Sequence, residues 1–222
     1  MWFPGPARRV PEAGRPSALR LGFDLAPGMR VGLYGGSFNP AHEGHAHVAE
    51  TALARLGLDR VIWLVSPQNP LKRRLPADLE ERMASVRKIA RGPSMIVSDL
   101  ETRIGSAYTV DVIRVLQARF PGVRFVWVMG ADNLAGFHRW RGWTQIMRLV
   151  PVAVVARPGY VLAGGLSAAA RRFSHARRPA SQAGRLAGAR PPAWVYLTAP
   201  LKFISSTALR RQARAGAAEK PS

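Results

Sequence analysis

Two glycines and two histidines follow closely on the apolar run at residues 31–34. Residues 35–45 read Gly-Gly-Ser-Phe-Asn-Pro-Ala-His-Glu-Gly-His. Glycines let a backbone turn tightly and approach a ligand, and residues three apart on a helix, such as His42 and His45, share one face. A helix beginning near Gly44 would add free N–H groups and the positive end of its dipole. The combination predicts a phosphate-binding turn, whereas a glycine-rich turn alone is a weak signal of a site and a lone exposed histidine is usually an ordinary surface residue.

Apolar runs alternate with helical patterns along the rest of the chain. Predicted strands cover residues 31–34, 61–65, 95–97, 123–129, 150–155 and 194–197, and predicted helices cover 44–57, 78–91, 109–120, 140–147 and a segment from 205 onward. Strands that are apolar on both faces and alternate with helices are typical of a covered parallel sheet. We therefore expect an α/β fold, a Rossmann-like doubly wound parallel sheet with helices on both faces.

In open sheets of this kind, ligands bind beyond the carboxyl ends of the strands. A candidate motif follows each predicted strand, at residues 35–45, 68–72, 108–109, 130–132, 157–159 and 204–210. All six motifs are therefore predicted to lie on one rim of the sheet. The last of them, Ile-Ser-Ser-Thr-Ala-Leu-Arg, offers hydroxyls at a helix start, although an ordinary helix cap explains the same residues.

The chain is strongly basic, with 33 Lys and Arg against 13 Asp and Glu and a net charge of +20. No acidic residue lies between Asp132 and Glu219, and that stretch contains Arg171, Arg172, Arg177, Arg178, Arg185 and Arg190. Such a field attracts polyanions. Nucleotides and non-specifically bound nucleic acid are both candidate partners, and a coding bias toward arginine explains the charge equally well. The basic residues lack the interleaved aromatics of a platform for single-stranded nucleic acid.

Length and composition favour one domain, since the chain has 222 residues of which 47% are hydrophobic. We expect a basic, disordered extension at 1–27, a domain at 28–215 with a basic Ala/Gly/Arg-rich insertion or flap at 163–193, and a tail at 216–222. Cysteine is absent, which excludes disulfides and thiol chemistry. No run approaches the ~18 apolar residues of a membrane span, and no signal-peptide core is visible. We expect a cytoplasmic protein with no membrane partner.

Together the motifs resemble those of the bacterial nicotinate-nucleotide adenylyltransferases, in the nucleotidyltransferase superfamily with the His-x-Gly-His motif. The resemblance covers residues 30–212. Its motifs are Gly-Ser-Phe-Asn-Pro-x-His-x-Gly-His at 36–45, Asn-Pro-x-Lys at 69–72, Tyr-Thr-x-Asp at 108–111, Gly-Ala-Asp-Asn-Leu at 130–134, Trp140 with Trp143, Arg-Pro-Gly at 157–159 and Ile-Ser-Ser-Thr at 204–207.

The resemblance implies transfer of AMP from ATP to nicotinate mononucleotide, which gives nicotinate adenine dinucleotide and pyrophosphate in NAD biosynthesis. It implies His45 and His42 as catalytic residues. The implied ATP-binding residues are Gly35, Gly36, Ser37, Phe38, His42, His45, Gly130, Asp132, Ile204, Ser205, Ser206, Thr207 and Arg210. The implied mononucleotide-binding residues are Ser37, Lys72, Tyr108, Thr109, Trp140 and Arg157. Mg²⁺ is expected to arrive with ATP, without a protein metal site or a tightly bound organic cofactor.

The sequence leaves several structural alternatives open. Asp132 could cap a helix, Trp140 could belong to the core, and Lys72 could sit in a solvated basic loop with Arg73 and Arg74. The function has alternatives as well. The acceptor could be nicotinamide mononucleotide or both mononucleotides, and a basic nucleic-acid-binding protein is a candidate of another class. The oligomeric state stays open.

Overall fold

A computed structural model describes residues 21–67, 78–156 and 167–198 of the chain. The strands in these ranges are β1 (Arg30–Gly36), β2 (Arg60–Val65), β3 (Met95–Ser98), β4 (Arg124–Gly130), β5 (Val152–Val155), β6 (Arg177–Arg178) and β7 (Trp194–Leu197). The α-helices are α1 (Glu43–Leu56), α2 (Leu79–Ile89), α3 (Leu100–Arg103), α4 (Thr109–Arg119), α5 (Ala131–Gly136), α6 (Trp143–Leu149) and α7 (Ala168–Arg172). Three 3₁₀ segments cover Phe137–Arg139, Ser174–Ala176 and Ala180–Gly188.

The described strands form one parallel sheet in the order β3-β2-β1-β4-β5-β7-β6. From β1 the chain first builds outward to β2 and β3, and then crosses to the other side of β1 to add β4 and β5. Reversal of strand order between β1 and β4 makes their carboxyl ends the switch point, where such sheets bind ligands. The predicted doubly wound α/β fold is confirmed.

Alternate residues of each strand enter two separate cores. Leu33 and Trp127 face a core that also contains side chains of α3, α4, α6 and α7. Tyr34 and Val128 face a second core, shared with α1, α2 and the 3₁₀ segment Ala180–Gly188. Because both faces are covered, the central strands are apolar throughout, which is why they read as continuous apolar runs in the sequence.

The predicted strands are all present in the described ranges, with ends shifted by at most two residues. Sequence reasoning missed β6 because its two residues, Arg177 and Arg178, are exposed and charged at the sheet edge. The predicted helix at 140–147 begins only at Trp143, because Gly142 has φ +67°, a left-handed conformation that favours glycine. The helix predicted from 205 onward lies outside the described residues.

The basic segment 163–193 contributes to the core wherever it is described. Ala169 and Phe173 pack into the first core, while Leu186 and Ala187 pack into the second. The described part of the expected insertion or flap is therefore packed against the rest of the domain. Small side chains suit this place because they let the 3₁₀ segment approach the sheet and α1 closely, and the exposed arginines lie between the buried positions.

The domain begins earlier than the expected boundary at residue 28. Leu21 and Leu25 are buried in the first core, and the Phe23 ring stacks on Phe120 at 6.1 Å between ring centroids. The Gly28 N–H donates to the Gly122 carbonyl at 2.8 Å. Residues 21–27 are therefore part of the folded unit. Among the described residues, no helix combines the length and the apolar character that crossing a membrane requires.

Candidate active site

The phosphate turn predicted at residues 35–45 lies at the switch point of the sheet. It leaves the end of β1, and Tyr34 of that strand pairs with Val128 of β4, so Gly36 and Gly130 end neighbouring strands. On the other side, Gly36 pairs with Val65 at the end of β2. Gly35, Gly36 and Gly130 are thus brought together, as the rim hypothesis required.

The two glycines of the turn are required by close neighbours. A Cβ atom on Gly35 would lie 2.5 Å from Cη2 of Trp127, and one on Gly36 would lie 2.9 Å from Cζ of Phe38. Phe38 itself is buried and has φ +43°, a left-handed conformation uncommon for a bulky residue. Its ring packs edge-on against Tyr34 and His45, with centroids 5.3 and 5.1 Å away. Ser37 is therefore held between tightly packed residues.

His42 and His45 cap helix α1 reciprocally. The Gly44 N–H donates to Nδ1 of His42 at 3.0 Å, and the His42 N–H donates to Nδ1 of His45 at 3.2 Å. The two imidazole rings lie 3.9 Å apart, centroid to centroid. A neutral imidazole that accepts a hydrogen bond at Nδ1 carries its proton on Nε2. The cap therefore makes Nε2 of both rings an N–H donor.

The same cap revises the expectation of free N–H groups at this helix start. The Gly44 N–H is engaged by the His42 ring, and the His45 N–H donates to the His42 carbonyl at 2.7 Å. These two backbone amides of the helix start are therefore engaged within the cap. The helix start keeps the positive end of its dipole, which favours an anion.

A buried charged pair that the motif analysis did not single out lies beside the turn. The Arg82 guanidinium, on α2, donates to the carbonyl oxygens of Ser37, Ser66 and Pro67 at 2.9, 2.6 and 3.0 Å. Glu101, on α3, accepts a hydrogen bond from the Ser66 hydroxyl. Only 2% of the surface of Arg82 and 3% of that of Glu101 is exposed.

Burial is the largest cause of the pKa shifts of Glu101 and Arg82. It raises the pKa of Glu101 to about 7, although the Ser66 hydrogen bond and the charge of Arg82 both act to lower that pKa. Burial also lowers the pKa of Arg82, while Asp78 and Glu101 oppose that effect. The sequence held a signal for Arg82 alone, which lies in the predicted helix on the same buried side as Met83 and Val86, whereas α3 was not predicted.

Trp140 and Trp127 connect the glycine turn to the far side of the switch point. Trp127, which packs beneath Gly35, meets the Trp140 ring edge-on at 6.2 Å between centroids. Trp140 also contacts Phe137 edge-on at 5.4 Å and stays partly exposed. Trp140 therefore packs partly against the first core, and its predicted binding of the mononucleotide stays a prediction.

Three other predicted residues lie at helix starts. Tyr108 is the cap residue of α4 and Thr109 is its first residue. The Arg141 guanidinium lies over the Tyr108 ring, 4.5 Å from its centroid. Asp132 occupies the second position of α5, behind the cap residue Gly130, which excludes the helix-cap alternative for Asp132.

Several predicted site residues lie outside the described residues, namely Lys72, Arg157, Ile204, Ser205, Ser206, Thr207 and Arg210. Within the described ranges, no group of three or more His, Cys, Asp and Glu side chains is placed to hold a metal ion.

Comparison with known proteins identifies the family. The cytidylyltransferase-like family matches residues 33–212. Two relatives named "Probable nicotinate-nucleotide adenylyltransferase" are similar over most of their length. The relative from Caulobacter sp. strain K31 is 71% identical over 82% of this chain and 97% of its own. The relative from Methylorubrum extorquens is 54% identical over 82% of this chain and 99% of its own.

Solved structures show the same fold at low sequence identity. Two structures of the Plasmodium falciparum nicotinic acid mononucleotide adenylyltransferase, complexed with APC and with NaAD, match with TM-scores of 0.62 and 0.64. Each is 15% identical and aligns with 82% of this chain and 83% of its own. The match of the family over residues 33–212 and the near full-length similarity to curated relatives lead to one conclusion: the chain belongs to the cytidylyltransferase-like family and, within it, to the nicotinate-nucleotide adenylyltransferases.

Proposed function

We propose that this chain transfers the adenylyl group of ATP to nicotinate mononucleotide, with His45 and His42 as the residues that act on the phosphates. The observation that carries the proposal is the reciprocal histidine cap at the switch point of the sheet. It places two Nε2–H donors and the positive end of a 14-residue helix beside the glycine turn. Family membership supplies the reaction class.

In this reaction a phosphate oxygen of nicotinate mononucleotide attacks the α-phosphorus of ATP. The new P–O bond forms as the bond from the α-phosphorus to the bridging oxygen of the β-phosphate breaks. Pyrophosphate leaves with that electron pair, and the product is nicotinate adenine dinucleotide. A phosphomonoester has a second pKa of about 6 and is mostly a dianion at neutral pH. The nucleophile therefore needs no general base, and the protein has to position the reactants and stabilise charge.

His45 would donate its Nε2–H to the α-phosphate as negative charge accumulates there, and His42 would bind the neighbouring phosphates. The reciprocal cap supports these roles because it fixes both the tautomer and the orientation of the rings. A donor held in place before the reaction stabilises the transition state without reorganisation. Gly35, Gly36 and Gly130 would let the nucleotide approach the strand ends closely.

Specific roles for the remaining rim residues extend the proposal. Asp132 would hold the adenosine, and Trp140 would stack on the pyridine ring beside Tyr108 and Thr109. The hydroxyls and the guanidinium of the last motif (Ser205, Ser206, Thr207 and Arg210) would bind the β- and γ-phosphates. Lys72 and Arg157 would meet the anionic groups of the mononucleotide. Mg²⁺ would enter as the ATP complex, because this ion is commonly held by substrate phosphates and a few carboxylates. We propose a cytoplasmic location, where ATP is available.

The acceptor preference follows from hydrogen-bond chemistry. A carboxylate only accepts hydrogen bonds, whereas a carboxamide of nearly the same shape also donates. A pocket lined by N–H donors near Tyr108 and Trp140 would satisfy nicotinate and leave the amide of nicotinamide facing donors. Mismatches of this kind discriminate by several orders of magnitude.

One assay tests the proposal. Pyrophosphate release from ATP is measured with nicotinate mononucleotide, with nicotinamide mononucleotide and without acceptor, and the dinucleotide product is identified by mass spectrometry. We expect a much higher kcat/KM for the nicotinate form. Equal values would identify a dual-specificity enzyme, and no dinucleotide with either acceptor would refute adenylyl transfer.

A further inference from the structure

Arg82 connects two rim segments that are distant in sequence. Its Nη1 donates both to the Ser37 carbonyl in the phosphate turn and to the Ser66 carbonyl just after β2. Its Nη2 donates to the Pro67 carbonyl. The planar guanidinium thus binds main-chain oxygens from both segments at once, a geometry that a flexible ammonium group cannot reproduce.

Burial of the Arg82 guanidinium is energetically costly compared with burial of an apolar side chain of similar volume. Burying a charge requires compensation by partners, and apolar residues of similar volume often serve stability as well or better. Here the compensation includes the buried Glu101 and the nearby Asp78, while Glu101 is in turn fixed by Ser66. What the charged group adds over an apolar one is control of where three carbonyl oxygens point.

The Ser37 carbonyl is one residue from the part of the turn that touches His45. Phe38 follows it with φ +43°, and its ring packs on the His45 ring with centroids 5.1 Å apart. A rotation of the Ser37–Phe38 peptide would therefore displace the surface on which the His45 imidazole rests. Holding the carbonyl fixes that surface.

We propose that Arg82 is a positioning residue for adenylyl transfer: by holding the Ser37 carbonyl against the Ser66–Pro67 segment, it fixes the Phe38 ring that keeps the capped His45 ring in its orientation. This inference rests on the proposed function. Arg82 acts through Phe38 on His45 and needs no contact with substrate. Its loss is therefore expected to lower the rate of the chemical step more than the binding of either substrate.

The test compares Arg82→Lys and Arg82→Met with Arg87→Lys and Arg87→Met. Arg87 is a matched control because it lies on the same helix, exposed, in a surface ion pair with Glu80 at 2.6 Å. Such pairs contribute about 0–1 kcal/mol to stability. Steady-state kinetics are measured with ATP and nicotinate mononucleotide, well below the melting temperature of each variant, and circular dichroism gives the folded fraction.

For the Arg82 variants we expect kcat to fall about 10–100-fold, the scale of a small misplacement in an active site, with both KM values changed less than about threefold. The Arg87 variants should match the wild type. Nitrogen NMR of the His45 ring adds a readout independent of turnover, with one Nε2–H tautomer in the wild type and mixed tautomers in Arg82→Lys.

Folded Arg82 variants with wild-type kcat and an unchanged His45 tautomer would overturn the proposal. Failure of both Arg82 variants to fold would also overturn it, by assigning Arg82 to the stability of the fold alone. An inactive wild type would instead refute the proposed function, and the His45 spectra would then still decide whether Arg82 orients that ring.

Discussion

At the scale of single residues, the two nitrogens of each site histidine have separate tasks. Nδ1 of His42 and Nδ1 of His45 both accept backbone hydrogen bonds that cap α1. In the proposed reaction, the Nε2–H groups are the donors to the phosphates. Replacement of either histidine by alanine would therefore remove a capping acceptor and the proposed donor at the same time.

Substitution of His45 by asparagine separates the capping effect from the effect on the proposed reaction. The Asn side-chain oxygen can replace Nδ1 as the acceptor of the cap, but no donor reaches the position of Nε2. We expect His45→Asn to keep its melting temperature and to lose about 10²–10³-fold in kcat, the usual cost of one preorganised donor. Pyrophosphate release on the purified variant measures this loss.

His175→Asn is the control, since His175 is exposed and lies in the 3₁₀ segment Ser174–Ala176. It should leave kcat unchanged. Near-normal turnover of a folded His45→Asn protein would remove His45 from the chemical step.

Glu101 makes stability depend on pH. Because its pKa is about 7 in the folded protein and near 4.3 in an unfolded chain, the folded state holds its proton more tightly. The stabilisation is complete below the unfolded pKa and is lost as the pH rises through the folded one. Glu101→Gln, which mimics the protonated acid, does not titrate.

We therefore expect the unfolding free energy of the wild type to fall relative to Glu101→Gln between about pH 4.5 and 7, and the difference to level off at higher pH. The groups that act on Glu101 are Ser66 and Arg82, with Asp78 acting on Arg82. Urea unfolding at pH 5, 6, 7 and 8 measures the difference in unfolding free energy. Because both proteins contain the same histidines, the contribution of histidine titration cancels in this difference. Parallel pH profiles would show that Glu101 ionises normally.

At the scale of elements, the 3₁₀ segment Ala180–Gly188 behaves as part of the second core. Leu186 is 2% exposed and packs with Ala183 and Ala187 against the sheet and α1. We expect Leu186→Ala to lower the unfolding free energy by about 2–5 kcal/mol, the range for a buried leucine.

Arg185→Ala is the neighbouring control, because Arg185 is exposed and such substitutions usually change stability by less than about 0.5 kcal/mol. Equilibrium urea unfolding compares the two variants. A Leu186→Ala protein as stable as Arg185→Ala would support the mobile flap that composition indicates.

At the scale of the whole molecule, the contacts of residues 21–27 separate them from the extension expected at 1–27, and we predict that residues 1–20 are dispensable for activity. Residues 1–20 carry prolines and arginines without apolar periodicity, whereas Leu21 and Leu25 are buried in the first core. Deleting 1–20 is expected to leave kcat and the melting temperature unchanged. Deleting 1–27 also removes two buried leucines, worth about 1.5–3 kcal/mol each.

Thermal unfolding and steady-state kinetics of the two truncations measure this difference. If the longer deletion is as stable as the shorter one, the contacts of residues 21–27 contribute nothing. If the shorter deletion folds but is inactive, residues 1–20 contribute to the site.

Positive charge is concentrated in the C-terminal part of the sequence, because no acidic residue lies between Asp132 and Glu219. The six arginines between Arg171 and Arg190 are exposed, two of them on the edge strand β6. Non-specific nucleic-acid binding stays a prediction for this surface. It would appear as an affinity that falls steeply with salt concentration, without affecting the assignment of the enzyme.

The sequence by itself determined the features that depend on local patterns. The glycine and histidine spacing at 35–45 predicted the phosphate turn, and the apolar runs predicted the strands that the structure contains, because turns and amphipathic periodicity depend on residues close together in the chain. The same motifs predicted the family. The short, charged β6 and the packed segment Ala180–Gly188 were missed, because their state depends on neighbours far along the chain.

Only the tertiary structure decided how those parts meet. The strand order placed Gly130 beside Gly36, and packing brought Arg82 to the Ser37 carbonyl across 45 positions of sequence. The reciprocal cap engaged Nδ1 of His42 and of His45 at the start of α1. These features follow from burial of both faces of the sheet, which selects one arrangement of residues that are distant in sequence. A local sequence pattern does not specify which distant carbonyl a buried guanidinium will contact.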